Sequence, residues 1–88
     1  MPERTRNLHD TLAELHRQLA EVPSLEPALR EELRAAMDEI RERIEAGGDA
    51  EGSLLDRVSE LTLRFEAEHP ALADAAGAVA RALARLGI

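Results

Sequence analysis

Residues 65–86 read FEAEHPALADAAGAVARALARL, and the fold turns on what happens at Pro70. This proline either opens a fourth helix at a first-turn position, where its missing N–H is harmless, or kinks one helix running from residue 54 to the end. An unbroken helix would reach ~50 Å at ~1.5 Å per residue. In a monomer its overhang would have nothing to pack on, although a long dimer could use it. A break or sharp kink near His69 is therefore predicted.

Within residues 71–86, Leu72, Ala76, Val79, Leu83 and Leu86 form the main apolar stripe. Apart from Asp74, Arg81 and Arg85, the remaining sides are Ala or Gly. A helix apolar on most sides is usually buried on most sides. Ala73 with Gly77, and Ala76 with Ala80, would let another backbone approach closely. Arg81 and Arg85 suit a helix C-terminus, and Gly87 can end it.

Working back toward the N-terminus, three more stripes recur at helical spacing. Over 54–68 the apolar side is Leu54 or Leu55, Val58, Leu61, Thr62 and Phe65; Leu63 falls off it and suggests a wider buried face. Ser53 with Asp56 has the spacing of an acid-assisted N-cap. GGDAEG at 47–52 is a loop, its glycines ending a helix over 25–46 whose face is Leu29, Leu33, Ala36 or Met37, Ile40 and Ile44. Ser24 offers an N-cap to that helix, and Pro27 is tolerated in its first turn. The first helix, about 4–22, carries Leu8, Leu12, Leu15, Leu19 and Val22, and Pro23 stops it. Glu26–Arg30, Glu39–Arg43 and Glu60–Arg64 have the four-residue spacing of solvated helix pairs.

Composition narrows the function classes. The 88 residues form one domain at most, with Leu and Ala as the main apolar residues, Phe65 as the sole aromatic, and no Trp or Tyr. A core built this way is marginal for a single chain. A second copy would supply the missing burial, most simply as a twofold dimer. Absence of cysteine removes disulfides, thiolate metal sites and thiol nucleophiles. The first residues show no apolar run or small-residue cleavage site, and no stretch nears the ~20 apolar residues of a membrane span. A cytoplasmic location is expected by default.

The formal charge is −7, with 18 acidic residues, and all 11 basic residues are Arg. The Arg-only usage with abundant Ala and Gly suggests a GC-rich bacterial genome. Residues 23–48 carry seven acidic groups against four Arg, so no basic stripe faces a phosphate backbone. Neither nucleic acid nor membrane is expected as a partner.

Candidate chemistry is sparse. His9 and His16 lie ~10 Å apart along the helix axis, too far to grip one metal. Glu66 and His69 form the Glu-x-x-His spacing used in carboxylate-bridged metal bundles, and a symmetric dimer would duplicate it. No Glu in the other apolar stripes supplies the remaining ligands, and His69 sits where the helix is least regular. Asp10 with Glu14, and Asp38 with Glu42, lack the buried cleft that general acid–base work needs. Ser24, Ser53 and Ser59 have no base and orienting acid arranged with them, and GGDAEG lacks the lysine and preceding strand of a phosphate loop.

The segments LHDTLAELHRQLAEVPSLEPALREEL and SLLDRVSELTLRFEAEHPALADAAGAVARALARLGI together resemble a small bacterial family of helical proteins, number 4404 among the domains of unknown function. The resemblance spans nearly the whole chain. Its most specific parts are Pro23-Ser24-Leu25, Phe65-Glu66-x-x-His69-Pro70 and Leu86-Gly87-Ile88. It implies no activity, ligand or catalytic residue. Some relatives carry chromosome-partitioning labels, but this chain has no Walker loop for the ATPase such a label suggests; an accessory to such machinery is compatible with it.

The reading that follows is an all-α, antiparallel helical hairpin or bundle of three to four helices, completed by oligomerisation, with helices at about 4–22, 25–46, 54–68 and 71–86. Its function is expected to be non-enzymatic: a self-associating protein–protein interaction module with coiled-coil-like stripes, a homodimer, and no cofactor, catalytic residue or resident metal. The alternative is a metal-binding bundle using Glu66 and His69. Residues 71–86 are the expected interface, so Asp at Val79 and Leu83 should dissociate or unfold the oligomer. In a monomer the same helix would have to fold back onto Leu29–Ile44, or it would be an exposed docking site for a different protein.

Overall fold

The structure, a computed structural model, describes residues 3–45 and 52–85. Four helices account for nearly all of them: α1 Glu3–Ala20, α2 Pro27–Glu45, α3 Gly52–Phe65 and α4 Pro70–Arg85. They pack as an all-α bundle. Its extents, 35 × 21 × 18 Å, are about two helix diameters across, which fits a two-by-two arrangement along the long axis. Going round it, the order is α1, α2, α3, α4 and back to α1, and among the described residues the diagonal helices do not approach each other.

Neighbouring helices run antiparallel. Arg57 of α3 pairs with Glu39 of α2, and Arg64 pairs with Glu32 at 3.2 Å; both pairs centre on position 48, in the α2–α3 connection. Seven residues separate the two rungs on each helix, two helical turns. α1 and α4 are also opposed in direction, since Glu3 and Arg6 of α1 share a surface hollow with Arg85 of α4.

The core is set by a repeated spacing of four, three and four. Leu8, Leu12, Leu15 and Leu19 on α1, Leu54, Val58, Leu61 and Phe65 on α3, and Leu72, Ala76, Val79 and Leu83 on α4 are all buried. This near-3.5-residue period keeps one face toward its neighbours along a bundle. α2 contributes Leu33, Ala36, Met37 and Ile40, with Leu29 and Ile44 packed half-buried at its ends. No polar or charged residue is buried among the described residues.

α4 is the most deeply embedded helix. Ala73, Ala75 and Ala82 are buried beside its main stripe, and it packs closely against both α1 and α3. The apolar circumference expected to meet a second copy is thus covered within one chain. The covering helices are not α2: the fold-back onto Leu29–Ile44 does not occur, because α2 stands diagonally across the bundle. Nor does Gly77 mark a contact too tight for a methyl group. A Cβ there would lie 3.5 Å from the Arg81 guanidinium and 3.8 Å from the Thr62 methyl, ordinary contact distances.

The connections are made by specific backbone bonds. The chain breaks at Pro70: the His69 N–H donates to the Phe65 carbonyl at 2.7 Å, and the His69 carbonyl accepts from the Ala73 N–H at 2.9 Å. His69 therefore caps α4, with Pro70 as its first residue. Between α1 and α2 the cap differs from expectation. The Glu26 carbonyl accepts the first helical bond from the Arg30 N–H, so α2 opens at Pro27 and Ser24 lies before the cap rather than at it. Leu25 is buried in this connection. Arg30, expected to pair with Glu26, instead turns its guanidinium back to the Leu19 carbonyl at 3.1 Å and to the Val22 carbonyl. Those carbonyls also accept the Val22 and Leu25 N–H groups at 3.3 Å, so Arg30 adds a second donor to each and places a cation at the negative end of α1.

Two further differences concern α3. It opens at Gly52, so Ser53 already lies in its first turn. Leu63 is 67% exposed, so the buried face of α3 is no wider than its stripe. Residue 63 lies almost opposite Val58 and Phe65 around the helix, and a lone exposed leucine is ordinary. The glycines of 47–48, most of the GGDAEG loop, and Leu86 and Gly87 lie outside the described residues.

Candidate interaction surface

The four seams of the bundle are unequal. Small residues on α4 draw its neighbours in, whereas α2 is flanked by long charged side chains and makes a thin contact with α1. Helix separation follows the side chains at the contact, so this inequality follows from composition. A groove of about 450 Å³ opens along the α1–α2 seam. Glu31, Arg34, Ala35, Asp38 and Arg41 of α2 line it, with the nearly buried Met37 below and His16 of α1 at its side.

The charges on this rim are weakly committed within the chain. Arg41 reaches Asp38 only at 4.0 Å, and Glu31 and Arg34 make no ion pair or side-chain hydrogen bond among the described residues. The α2–α3 seam is the contrasting case. Its smaller groove, about 160 Å³, is lined by Glu32, Arg57, Glu60 and Arg64 over Leu61. Each of those four charges is already paired: Arg57 with Glu39, and Arg64 with both Glu32 and Glu60 at 3.2 Å. That seam is closed electrostatically, and the α1–α2 seam is not.

One charge cluster on α1 perturbs its own titration. Glu14 accepts hydrogen bonds from Gln18 and Arg17, which hold its carboxyl below the ordinary range, and the same contact raises Arg17. Arg17 also reaches Glu21 at 3.5 Å. All of this lies on the solvent side of α1, where such pairs contribute little to stability.

The candidate ligands found in the sequence are not assembled. His9 is half-buried and His16 exposed; only the latter borders a groove. Asp10 lines the hollow between α1 and α4, about 430 Å³ in volume, while Glu14 is tied to Arg17 and Gln18. Asp38 and Glu42 are exposed on α2. Glu66 is exposed and His69 half-buried in the α3–α4 turn, where the backbone of His69 does the capping. No group of three or more His, Asp or Glu able to hold a metal occurs among the described residues. Glu66 and His69 thus lie in the α3–α4 turn with no third such side chain grouped with them among the described residues.

Two features of this surface lie outside what stripe-reading finds. One is Arg30, whose four-residue spacing from Glu26 pointed to a surface pair. The other is the ordered set Glu31, Arg34, Asp38 and Arg41, which as sequence reads only as the polar side of α2; its i, i+3 and i+4 spacing was the available signal.

Among the described residues no helix is long and apolar enough to cross a membrane. No curated protein and no solved structure matches the chain. Residues 8–88, nearly all of it, match one family, and the chain belongs to it: the family described as Domain of unknown function (DUF4404).

Proposed function

We propose that this protein is a non-enzymatic, cytoplasmic helical module that works by contact with other protein chains, its own copies included. The observation that carries the reading is the open α1–α2 seam, with a groove of about 450 Å³ rimmed by charges that the fold itself leaves uncommitted. The α2–α3 seam is closed by the Arg57 and Arg64 ladders, and α4 packs closely against α1 and α3, with a hollow of about 430 Å³ left where the start of α1 meets the end of α4. The carboxylates and histidines of the described surface stand exposed or half-buried and apart, which suits recognition better than acid–base work. Self-association is assigned to this side because α4, the most apolar helix, is already covered.

Light scattering of eluted protein over a wide concentration range tests the reading. A mass that rises from one chain toward two as concentration increases supports it. A constant single-chain mass at millimolar protein removes self-association and leaves contact with a different protein to be sought through the same groove.

A further inference from the structure

The four α2 charges that line the groove have an order that matters. Running from the N-terminal end they read Glu31, Arg34, Asp38, Arg41: acid, base, acid, base. Turned end to end and laid against itself, the series becomes base, acid, base, acid. Glu31 then faces a second Arg41, and Arg34 faces a second Asp38. Both pairings are centred on position 36, so one twofold axis through the middle of α2 satisfies all four contacts at once. A twofold interface requires this reciprocity, residue i meeting j while j meets i.

We infer that the partner seated on the α1–α2 side is a second copy of this chain, docked with α2 antiparallel to its own counterpart about an axis at Ala36. The inference rests on the self-association reading above and adds the surface and the register. Three observations support it. All four charges line one groove, so they act on the same side of the helix. Within the chain they are unmatched or, for Asp38 and Arg41, separated by 4.0 Å. The exposed residue nearest the axis is Ala35, a small side chain that lets two helix backbones approach. A parallel arrangement would set each charge against its like and be repelled.

A single helix pair buries less than the roughly 1,200 Å² of a standard stable interface, so the dimer belongs to the weak, transient class. Exposed charge pairs set orientation and partner choice more than affinity, and salt weakens them. The association is therefore expected to grow with concentration and to decline between low and high salt.

Sedimentation of the full chain and three variants tests the register. E31R/D38R makes the series wholly basic, and R34E/R41E makes it wholly acidic. Each alone should stay a single chain at concentrations where the unaltered protein dimerises. Mixed in equal amounts, the two should form a one-to-one pair, since every contact is then opposite in sign. R34E/D38R exchanges the charges of the Arg34–Asp38 pair, leaves Glu31 opposite Arg41, and should dimerise as the unaltered protein does, which covers the case of a fully reversed variant that folds poorly. Dimers of E31R/D38R and R34E/R41E as strong as those of the original would overturn the inference while leaving self-association standing. An original chain that never dimerises would overturn both.

Discussion

α2 and α4 are similar in length, 19 and 16 residues, and opposite in character. α2 carries ten charged side chains and buries four residues; α4 carries three and buries seven. Both are amphipathic, and both follow the same spacing of apolar residues. They differ at the flanks of the stripe. On α4 the flanks are alanine, so neighbouring backbones come close and contact spreads sideways. On α2 the flanks are Arg, Glu and Asp, which keep α1 back and leave a groove. Hydrophobic periodicity decides which way a helix faces, and the residues beside the stripe decide how closely it is held.

The largest test of that contrast is to charge the tight side. Val79→Asp places a carboxylate at a position with no exposed surface, and the variant should lose its cooperative thermal transition by circular dichroism. Matched truncations come next. Leu83 and Ile40 are equally buried, so in a uniform bundle Leu83→Ala and Ile40→Ala would cost alike. If α4 is held more tightly, Leu83→Ala should cost roughly 4 kcal/mol and Ile40→Ala roughly 2 kcal/mol, read from urea denaturation. Equal costs would erase the distinction. Hydrogen exchange should agree, with α2 amides exchanging sooner than those of α4.

Smaller effects sharpen the picture. Gly77→Ala has room for its methyl and should stabilise α4 by up to about 1 kcal/mol through helix propensity, raising the melting temperature. Arg30→Ala removes the bonds to the Leu19 and Val22 carbonyls and should cost about 1 kcal/mol in the same denaturation assay. The smallest effect belongs to Glu14. Its carboxyl titrates lower in the folded chain than in the unfolded one, so its contribution is present above the unfolded value and lost as pH falls through the folded one. Any difference in melting temperature between the protein and Glu14→Gln should be slight at neutral pH and vanish in acid.

Much of the architecture was legible before any coordinates. The leucines of α1 and the Leu54–Phe65 series declare their faces, and Pro70 with its preceding histidine declares the break. What stayed hidden was the identity of the covering surface. The alanines of residues 73–82 look the same whether α1 and α3 or another chain lies over them, because periodicity records that a face is dry and not what dries it. Leu63 misled for the related reason that one apolar residue off a stripe can face solvent at small cost. Ser24 misled because the proline at 27 fixes the start of α2 three residues later. The interaction surface was the least legible part. Its four charges are individually ordinary, and only their order along a shared groove distinguishes them.

The pairing of α1 with α4 also bears on how the chain is made. Synthesis delivers α1 first, yet the helix that covers most of its leucine stripe is the last of the four. Throughout translation Leu8, Leu12, Leu15 and Leu19 have only the thin contact with α2 to shelter them. The α3–α4 hairpin, closed by a four-residue turn, can assemble as soon as it emerges, and α1 then docks onto it from the far end of the chain. Birth order and packing order are thus reversed, and the interval between them is when nascent chains are most open to capture by chaperones or to sticking to one another.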